Sequence, residues 1–349
     1  MSNGRQMIKN YHFFKVLKLI RYGQLASNFV NQNLQEKDLQ KWDKFAKTII
    51  KTQLHRSRIE FGYIDRSGVI PSLMPTSFDP LPCKDKSYNN KNYLDVCLAR
   101  AQDLLDTGQH INILWSGGLD STLVLFAFLH QASNKEQLSI VCTFNSIVES
   151  GKIFDRYILP SGIRIKFDTT ALNVDCNYQF DDEDPTQLYV NGQCGDQMFG
   201  PRISLASNAS SVDHWSAAYP KEILDILEPT LKYSARPIET IRDIRWWMFF
   251  NFTWTTVYYD GSISRQSGLA SRIVPFYGTD SFQTWSANTD TWYNQVEGYR
   301  TPARQALSQL IDYQYYINNK EKVWSLSWLP NPNWYAIDEN FKTYYTTDK

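Results

Sequence analysis

The segment Ile111–Ser121 most constrains the fold of this 349-residue chain, because an apolar strand runs through a glycine turn into a helix. The pattern predicts a strand over Ile111–Trp115 and a helix that begins near Asp120. Gly117 and Gly118 place no side chain over the backbone amides of the turn. Since the N-terminus of a helix attracts anions, the turn is typical of a phosphate-binding site.

Polar side chains in the same turn suit a pyrophosphate with its metal ion. Ser116 and Ser121 offer hydroxyl groups, and the Asp120 carboxylate is a ligand that Mg²⁺ prefers. The turn lacks the Gly-Lys-Ser/Thr ending of a Walker loop, which favours adenylation over γ-phosphoryl transfer. The structural alternative is a tight connection inside any α/β domain, with glycines chosen only for backbone geometry.

A second glycine-rich turn follows an apolar strand in the segment Leu188–Gly200. Ligands of parallel sheets bind beyond the carboxyl ends of the strands, so the two turns can face one ligand. We therefore expect Asp120 and Asp196 to share one magnesium ion.

The order Ser-Gly-Gly-x-Asp-Ser at 116–121 resembles the pyrophosphate-binding loop of the ATP pyrophosphatase (PP-loop) superfamily. The second segment, with Asn191-Gly-Gln-Cys-Gly-Asp196, resembles a signature of asparagine synthetase and β-lactam synthetase. Weaker similarities place the resemblance over residues 90 to 330. It implies an α/β fold with a parallel, doubly wound sheet of the adenine nucleotide α-hydrolase type, an α-helical C-terminal part and a small helical N-terminal extension.

The resemblance also implies functional residues. Lys320 would neutralise charge on the α-phosphate, Lys322 is the rival candidate, and Arg272 would anchor the acyl substrate. Asp120 and Asp196 would hold Mg²⁺. The residues implied for ATP and pyrophosphate are Leu114, Ser116, Gly117, Gly118, Asp120, Ser121, Phe144, Asn191 and Gly192.

The sequence departs from the family at two positions of the second motif. Gln193 stands where the family has a glutamate tied to proton handling, and Gln197 replaces a second glutamate. An amide cannot accept a proton as a carboxylate does, so the amine or its activation differs here. About 90 residues precede the synthetase-like part, too few for the family's glutaminase domain, and we expect no glutamine hydrolysis.

The N-terminal region is basic although the net charge of the chain is zero. Residues 1–58 hold twelve Lys and Arg against three Asp and Glu, a local balance of +9. One side of a predicted helix carries Lys37, Lys41, Lys44, Lys47 and Lys51. These lysines are either a solvated helix face or a surface that contacts the phosphates of a nucleic acid. We expect residues 1–88 to form this extension with a linker, and residues 89–349 to form the synthetase-like domain.

Composition limits the class of protein further. No apolar run approaches the roughly 20 residues needed to span a bilayer, and the start of the chain lacks a secretory cleavage site, so we expect no membrane partner and a cytoplasmic location. The five cysteines are scattered without a Cys-x-x-Cys pair, which disfavours disulfides, structural zinc and an iron-sulfur cluster. Cys194 is interpreted as a small buried residue rather than a nucleophile.

Three hypotheses follow. The first is an AMP-forming carbon-nitrogen ligase that uses ATP and Mg²⁺ to adenylate a small-molecule carboxylate and transfers the acyl group to an amine. The second keeps adenylation but modifies a nucleic-acid base, with the lysines binding the backbone. The third is a non-catalytic nucleotide-binding module. The sequence leaves the substrates and the oligomeric state open.

Overall fold

The computed structural model describes residues 65–69, 81–82, 85–88, 91–168, 184, 186–200, 213–218, 221–255, 257–258, 272–289, 300–319, 334–337 and 343–346. The chain packs into two compact units. The unit we call the sheet unit comprises Lys91–Gly192, Ser271–Phe276 and Arg300–Lys349. The unit we call the aromatic unit comprises Met1–Asn90, Gln193–Ala270 and Tyr277–Tyr299.

The centre of the sheet unit is a five-stranded parallel sheet with the strand order β3-β2-β1-β4-β5. Its strands are β1 (His110–Trp115), β2 (Leu138–Thr143), β3 (Arg164–Asp168), β4 (Gln187–Asn191) and β5 (Ile273–Pro275). The chain proceeds outward from β1 through β2 to β3 and then returns to the other side of β1, where β4 pairs with it. The carboxyl ends of β1 and β4 therefore lie side by side at the topological switch point, where open α/β sheets bind ligands. The predicted α/β fold with a parallel sheet is confirmed.

Among the described residues of the sheet unit, the α-helices are α1 (Tyr93–Leu105), α2 (Leu119–Gln131), α3 (Phe144–Ile153), α7 (Thr301–Ser308) and α8 (Tyr313–Asn319). A π-helical turn, Phe154–Ile158, continues α3. Asn92 caps α1 by accepting a hydrogen bond from the Leu94 amide, as its position before an amphipathic segment suggests. Helix α7 packs against both α1 and α2.

The described part of the aromatic unit is mainly helical, with α4 (Lys221–Leu231), α5 (Ile241–Trp247) and α6 (Asp280–Asn288). A π-helical segment, Met248–Thr253, continues α5. Large rings fill the core, and the fully buried side chains include Trp246, Trp247, Phe250, Trp254 and Trp285. Apolar residues lie on nearly every face of residues 241–254, as is typical of a buried helix, and the second half of this segment has π geometry.

The C-terminal region contains an antiparallel pair of strands, β6 (Trp334–Ile337) and β7 (Thr343–Thr346), which we did not predict. The helical C-terminal part and the PP-loop type of the sheet stay predictions, as does the domain boundary between residues 88 and 89. Of the helices in the described ranges, none combines the length and apolar character needed to cross a membrane.

The pH dependence of stability should report on His110, the first residue of β1. Its Nε2 lies 2.8 Å from the Ser139 hydroxyl, and burial lowers its pKa below 6.5, assisted by the charges of Lys166 and Arg164. A lowered pKa means that the folded state disfavours the protonated ring, so this contribution is complete above pH 6.5 and is lost as the pH falls through the folded-state pKa. We expect His110→Gln to lose less thermal stability than the wild type between pH 7.5 and pH 5 in a melting experiment.

The exposed His130 on α2 offers a matched control. His130→Gln should keep the wild-type change of melting temperature over this pH range. An unchanged pH dependence in His110→Gln would contradict the assignment to His110.

Candidate functional site

The first glycine turn directly follows β1, and side chains of α3 donate hydrogen bonds to its backbone. Gly117 has a φ of +80°, and a Cβ atom added to it would lie 2.9 Å from the Ser146 carbonyl oxygen. The Ser150 hydroxyl donates to the Gly117 carbonyl at 2.9 Å, and the Ser146 hydroxyl donates to the Trp115 carbonyl at 2.6 Å. Only glycine fits this combination of a left-handed backbone and a close approach.

The N-terminus of α2 is open to a ligand. Gly118 is its N-cap residue, and no side chain caps the helix. The Ser121 hydroxyl donates to the Gly118 carbonyl and accepts a hydrogen bond from the Ser116 amide. These two hydrogen bonds fix the Ser121 side chain against the backbone of the turn. The Ser116 and Ser121 hydroxyls lie 2.9 Å apart. Uncapped amides and two adjacent hydroxyls, whose O–H bonds can rotate toward a ligand, are the donors that a phosphate group needs.

The second glycine turn meets the first one at the switch point. A Cβ atom added to Gly192 would lie 3.0 Å from the Ser121 amide nitrogen and 3.3 Å from the Asp120 carbonyl carbon. Asn191, which ends β4, accepts a hydrogen bond from the Phe276 amide at 2.9 Å, so β5 fixes the start of this turn. The structure thus brings Gly192 against Asp120 and Ser121.

Asp120 forms an ion pair with Arg300, a residue that the sequence analysis did not assign to the site. Arg300 Nη1 lies 2.7 Å from Asp120 Oδ2, and the side chains are 14% and 19% exposed, respectively. The negative charge of Asp120 also reaches α1, where burial and then this charge raise the pKa of the Cys97 thiol well above its usual value. Asp120 therefore presents a partly buried carboxylate beside the open helix N-terminus.

The rest of the second motif belongs to the aromatic unit. Asp196 begins a short 3₁₀ turn, Asp196–Met198, and is partly exposed, whereas Gln197 is buried. Cys194 is buried with a φ of 69°, in agreement with its interpretation as a small buried residue. Gln193 is partly exposed at the start of this unit. The meeting of Asp196 with Asp120 on one metal ion stays a prediction.

Arg272 lies at the amino end of β5 rather than at the carboxyl ends of the strands. Its Nη1 donates to the Asp184 carbonyl at 2.6 Å, and its guanidinium lies 5.9 Å from the centroid of the Tyr189 ring. Asp184 precedes β4, so both partners of this hydrogen bond lie across the sheet from the glycine turns. This location does not favour Arg272 as the anchor of the acyl substrate, and Arg272 takes no part in the function proposed below.

Several predicted site residues have limited or no description. Lys320, Lys322 and the five lysines from Lys37 to Lys51 lie outside the described residues. Phe144, which the resemblance implies as a residue of the ATP site, begins α3 directly after β2. Leu114 is buried in β1.

The second residue that sequence reasoning missed is Tyr316, on α8. Its hydroxyl donates to the Gly117 carbonyl at 3.4 Å, and its side chain is 3% exposed. Helix α8 therefore packs against the first glycine turn. Tyr316 precedes Lys320 by four positions in the sequence.

The four-residue spacing of Ser146 and Ser150 could have indicated that α3 supports the first glycine turn, because residues at this spacing share a helix face. No local pattern indicates Arg300 or Tyr316 as neighbours of the turn.

The residues of the first turn fit a magnesium ion that arrives with a phosphate ligand. Within the described residues, no group of three or more His, Cys, Asp or Glu side chains could hold a metal ion. Magnesium, however, commonly uses one or two carboxylates together with substrate phosphates. Asp120, next to the open α2 N-terminus, offers such a carboxylate.

Comparison with known proteins adds no family assignment. The sequence matches no protein-family model, and no curated protein shows significant similarity to it.

Proposed function

We propose that this protein is an ATP-dependent, AMP-forming ligase that joins a carboxylate to an amine. The observation that carries the proposal is the contact of the two glycine turns, in which Gly192 lies against Asp120 and Ser121 at the switch point. A glycine at 192 lets the second turn approach the open N-terminus of α2 closely enough for both turns to contact one diphosphate.

In the proposed reaction, the turns hold the β- and γ-phosphates while a carboxylate oxygen attacks the α-phosphorus. The bond between the α-phosphorus and the bridging oxygen breaks, and pyrophosphate leaves. The amine nitrogen then attacks the acyl carbon, loses a proton and displaces AMP. The overall products are an amide, AMP and pyrophosphate.

The residues of the chain act mainly by binding and orienting. Amides of the first turn and the hydroxyls of Ser116 and Ser121 hold phosphate oxygens, and Asp120 would hold Mg²⁺, with Asp196 as a second ligand. When bound, Mg²⁺ supplies positive charge that stabilises the leaving diphosphate. Holding the carboxylate in line with phosphorus can lower the barrier by roughly 7 kcal/mol.

A cation close to the α-phosphate would complete the site. We assign this role to Lys320, with Lys322 as the alternative, because α8 contacts the first turn through Tyr316 and ends at Asn319. A fixed donor aimed at developing negative charge is worth about 3 kcal/mol in a site that excludes water. Gln193 would contact the amine substrate. Because the Gln193 amide cannot remove a proton from an ammonium group, we expect the amine substrate to bind and react in its neutral form.

A product assay tests the proposal. The purified protein is incubated with ATP and Mg²⁺ over panels of carboxylates and amines, and the nucleotide products are separated. We expect AMP and pyrophosphate in equal amounts, in a reaction that requires both a carboxylate and an amine. Asp120→Asn, purified in parallel, controls for contaminating enzymes. Formation of ADP in place of AMP would contradict the proposal.

A further inference from the structure

The proposed reaction does not explain the ion pair between Arg300 and Asp120. The two charges approach to 2.7 Å and are mostly shielded from water. Coulomb attraction is stronger in such surroundings than on an exposed surface. Helix α7, whose N-cap residue is Arg300, packs on α2, whose first turn contains Asp120, so the pair lies between two fixed helices.

The backbone of Arg300 indicates that its side chain is needed there. Arg300 has φ 60° and ψ 37°, a left-handed conformation that glycine adopts more easily than any residue with a Cβ atom. Its side chain does not cap α7. Residues held in this conformation are concentrated at functional sites, where surrounding interactions stabilise them. The ion pair with Asp120 is an interaction that a glycine at this position could not make.

The ion pair and a metal ion compete for the same carboxylate. Arg300 occupies Asp120 Oδ2, an oxygen that a magnesium ion would need, and its positive charge repels a cation bound nearby. A guanidinium also binds phosphate oxygens through two parallel hydrogen bonds. A polyphosphate at the N-terminus of α2 would therefore offer Arg300 a second anionic partner.

We infer that Arg300 couples metal binding to nucleotide binding: it occupies Asp120 in the free protein and moves to the phosphates when they bind, which frees Asp120 for Mg²⁺. The inference rests on the proposed function, because it requires a polyphosphate in the first turn. Arg300 is a positioning residue in this scheme. It disfavours a metal ion bound without its nucleotide, and it favours the ligand pair that the reaction uses.

Two separate binding measurements test this coupling in the full-length protein. The first titrates Mn²⁺ alone and follows the free ion by electron paramagnetic resonance. The second titrates inorganic pyrophosphate, with EDTA present, in a calorimeter. For Arg300→Gln we expect Mn²⁺ to bind about tenfold more tightly and metal-free pyrophosphate about tenfold more weakly than to the wild type, within the usual range of coupling between sites. A purely structural role would weaken both.

Matched variants separate the coupling from other effects. Arg304→Gln removes the same charge one turn later on α7 and should bind both ligands as the wild type does. Arg300→Gly suits the left-handed backbone and should show the same two opposite shifts, even if Arg300→Gln folds poorly. Shifts of equal sign in the Arg300 variants, or equal shifts in Arg304→Gln, would overturn the inference.

The outcome also separates this inference from the proposed function. If the wild type binds pyrophosphate with Mg²⁺ but the Arg300 variants lack the opposite shifts, only the coupling is wrong. If the wild type binds no pyrophosphate under any condition, the proposed function fails and the coupling fails with it.

Discussion

Asp120→Asn should weaken magnesium-dependent binding of pyrophosphate by about 50-fold, the equivalent of about 2.3 kcal/mol. The amide keeps the shape of the side chain but cannot supply the charged oxygen that Mg²⁺ prefers. Metal-free binding of pyrophosphate should not weaken, because the amides of the turn and the Ser116 and Ser121 hydroxyls remain. Isothermal titration calorimetry with and without EDTA measures both affinities.

The loss of the ion pair in this variant needs its own control. Arg300 loses a charged partner, and we expect about 2 kcal/mol of lost stability from that change. Asp312→Asn removes the same charge from the more exposed ion pair with Arg156, at 3.6 Å. Asp312 also accepts a hydrogen bond from the Tyr315 amide at the start of α8, and asparagine caps a helix as well as aspartate does. Asp312→Asn should therefore bind pyrophosphate as the wild type does. Equal weakening in both variants, or metal-dependent affinity unchanged in Asp120→Asn, would show that Asp120 does not hold the metal.

Gly117→Ala should destabilise the protein by about 3 kcal/mol or more and abolish binding of pyrophosphate. A left-handed backbone costs about 1 to 2 kcal/mol for alanine, and the added methyl group would lie 2.9 Å from the Ser146 carbonyl oxygen. That oxygen belongs to the backbone of α3 and cannot rotate away, so the turn itself must shift. Denaturant unfolding gives the stability, and calorimetry gives the binding.

Gly162→Ala separates backbone strain from steric contact. Gly162 has a φ of +75°, close to that of Gly117, but nothing lies within 4 Å of an added Cβ atom. We expect a loss of about 1 kcal/mol and unchanged binding of pyrophosphate. If the two variants lose the same free energy of unfolding, the close contact of Gly117 with α3 does not contribute to the loss in Gly117→Ala.

The local elements of the site could be predicted from the sequence because short-range patterns specify them. The apolar run before Ser116 forms β1, and α2 begins at Leu119, one residue from its predicted start. The apolar strand expected before the second glycine turn is β4, which ends at Asn191. Alternation, glycine turns and helix caps act over a few residues, so a single sequence contains enough information to place them.

Arg272 illustrates where motif similarity was insufficient. The resemblance to a known family assigned Arg272 to the site, and in the structure β5 begins at the next residue, Ile273. Only the direction of the strand within the sheet decides which end reaches the ligand. The parallel pairing of β4 with β5 puts Pro275 beside Asn191 and leaves Arg272 at the far end, against Asp184.

By itself, the sequence determined the class of fold, the two glycine turns and the residue types that suit phosphate and magnesium. Tertiary structure decided which of these groups are neighbours: that Gly192 lies against Ser121, that Tyr316 supports Gly117, and that Arg300 pairs with Asp120 across 180 positions. The physical reason is range. Backbone geometry and hydrophobic periodicity are local, whereas an ion pair between distant residues exists only after the sheet order and helix packing have brought its partners together.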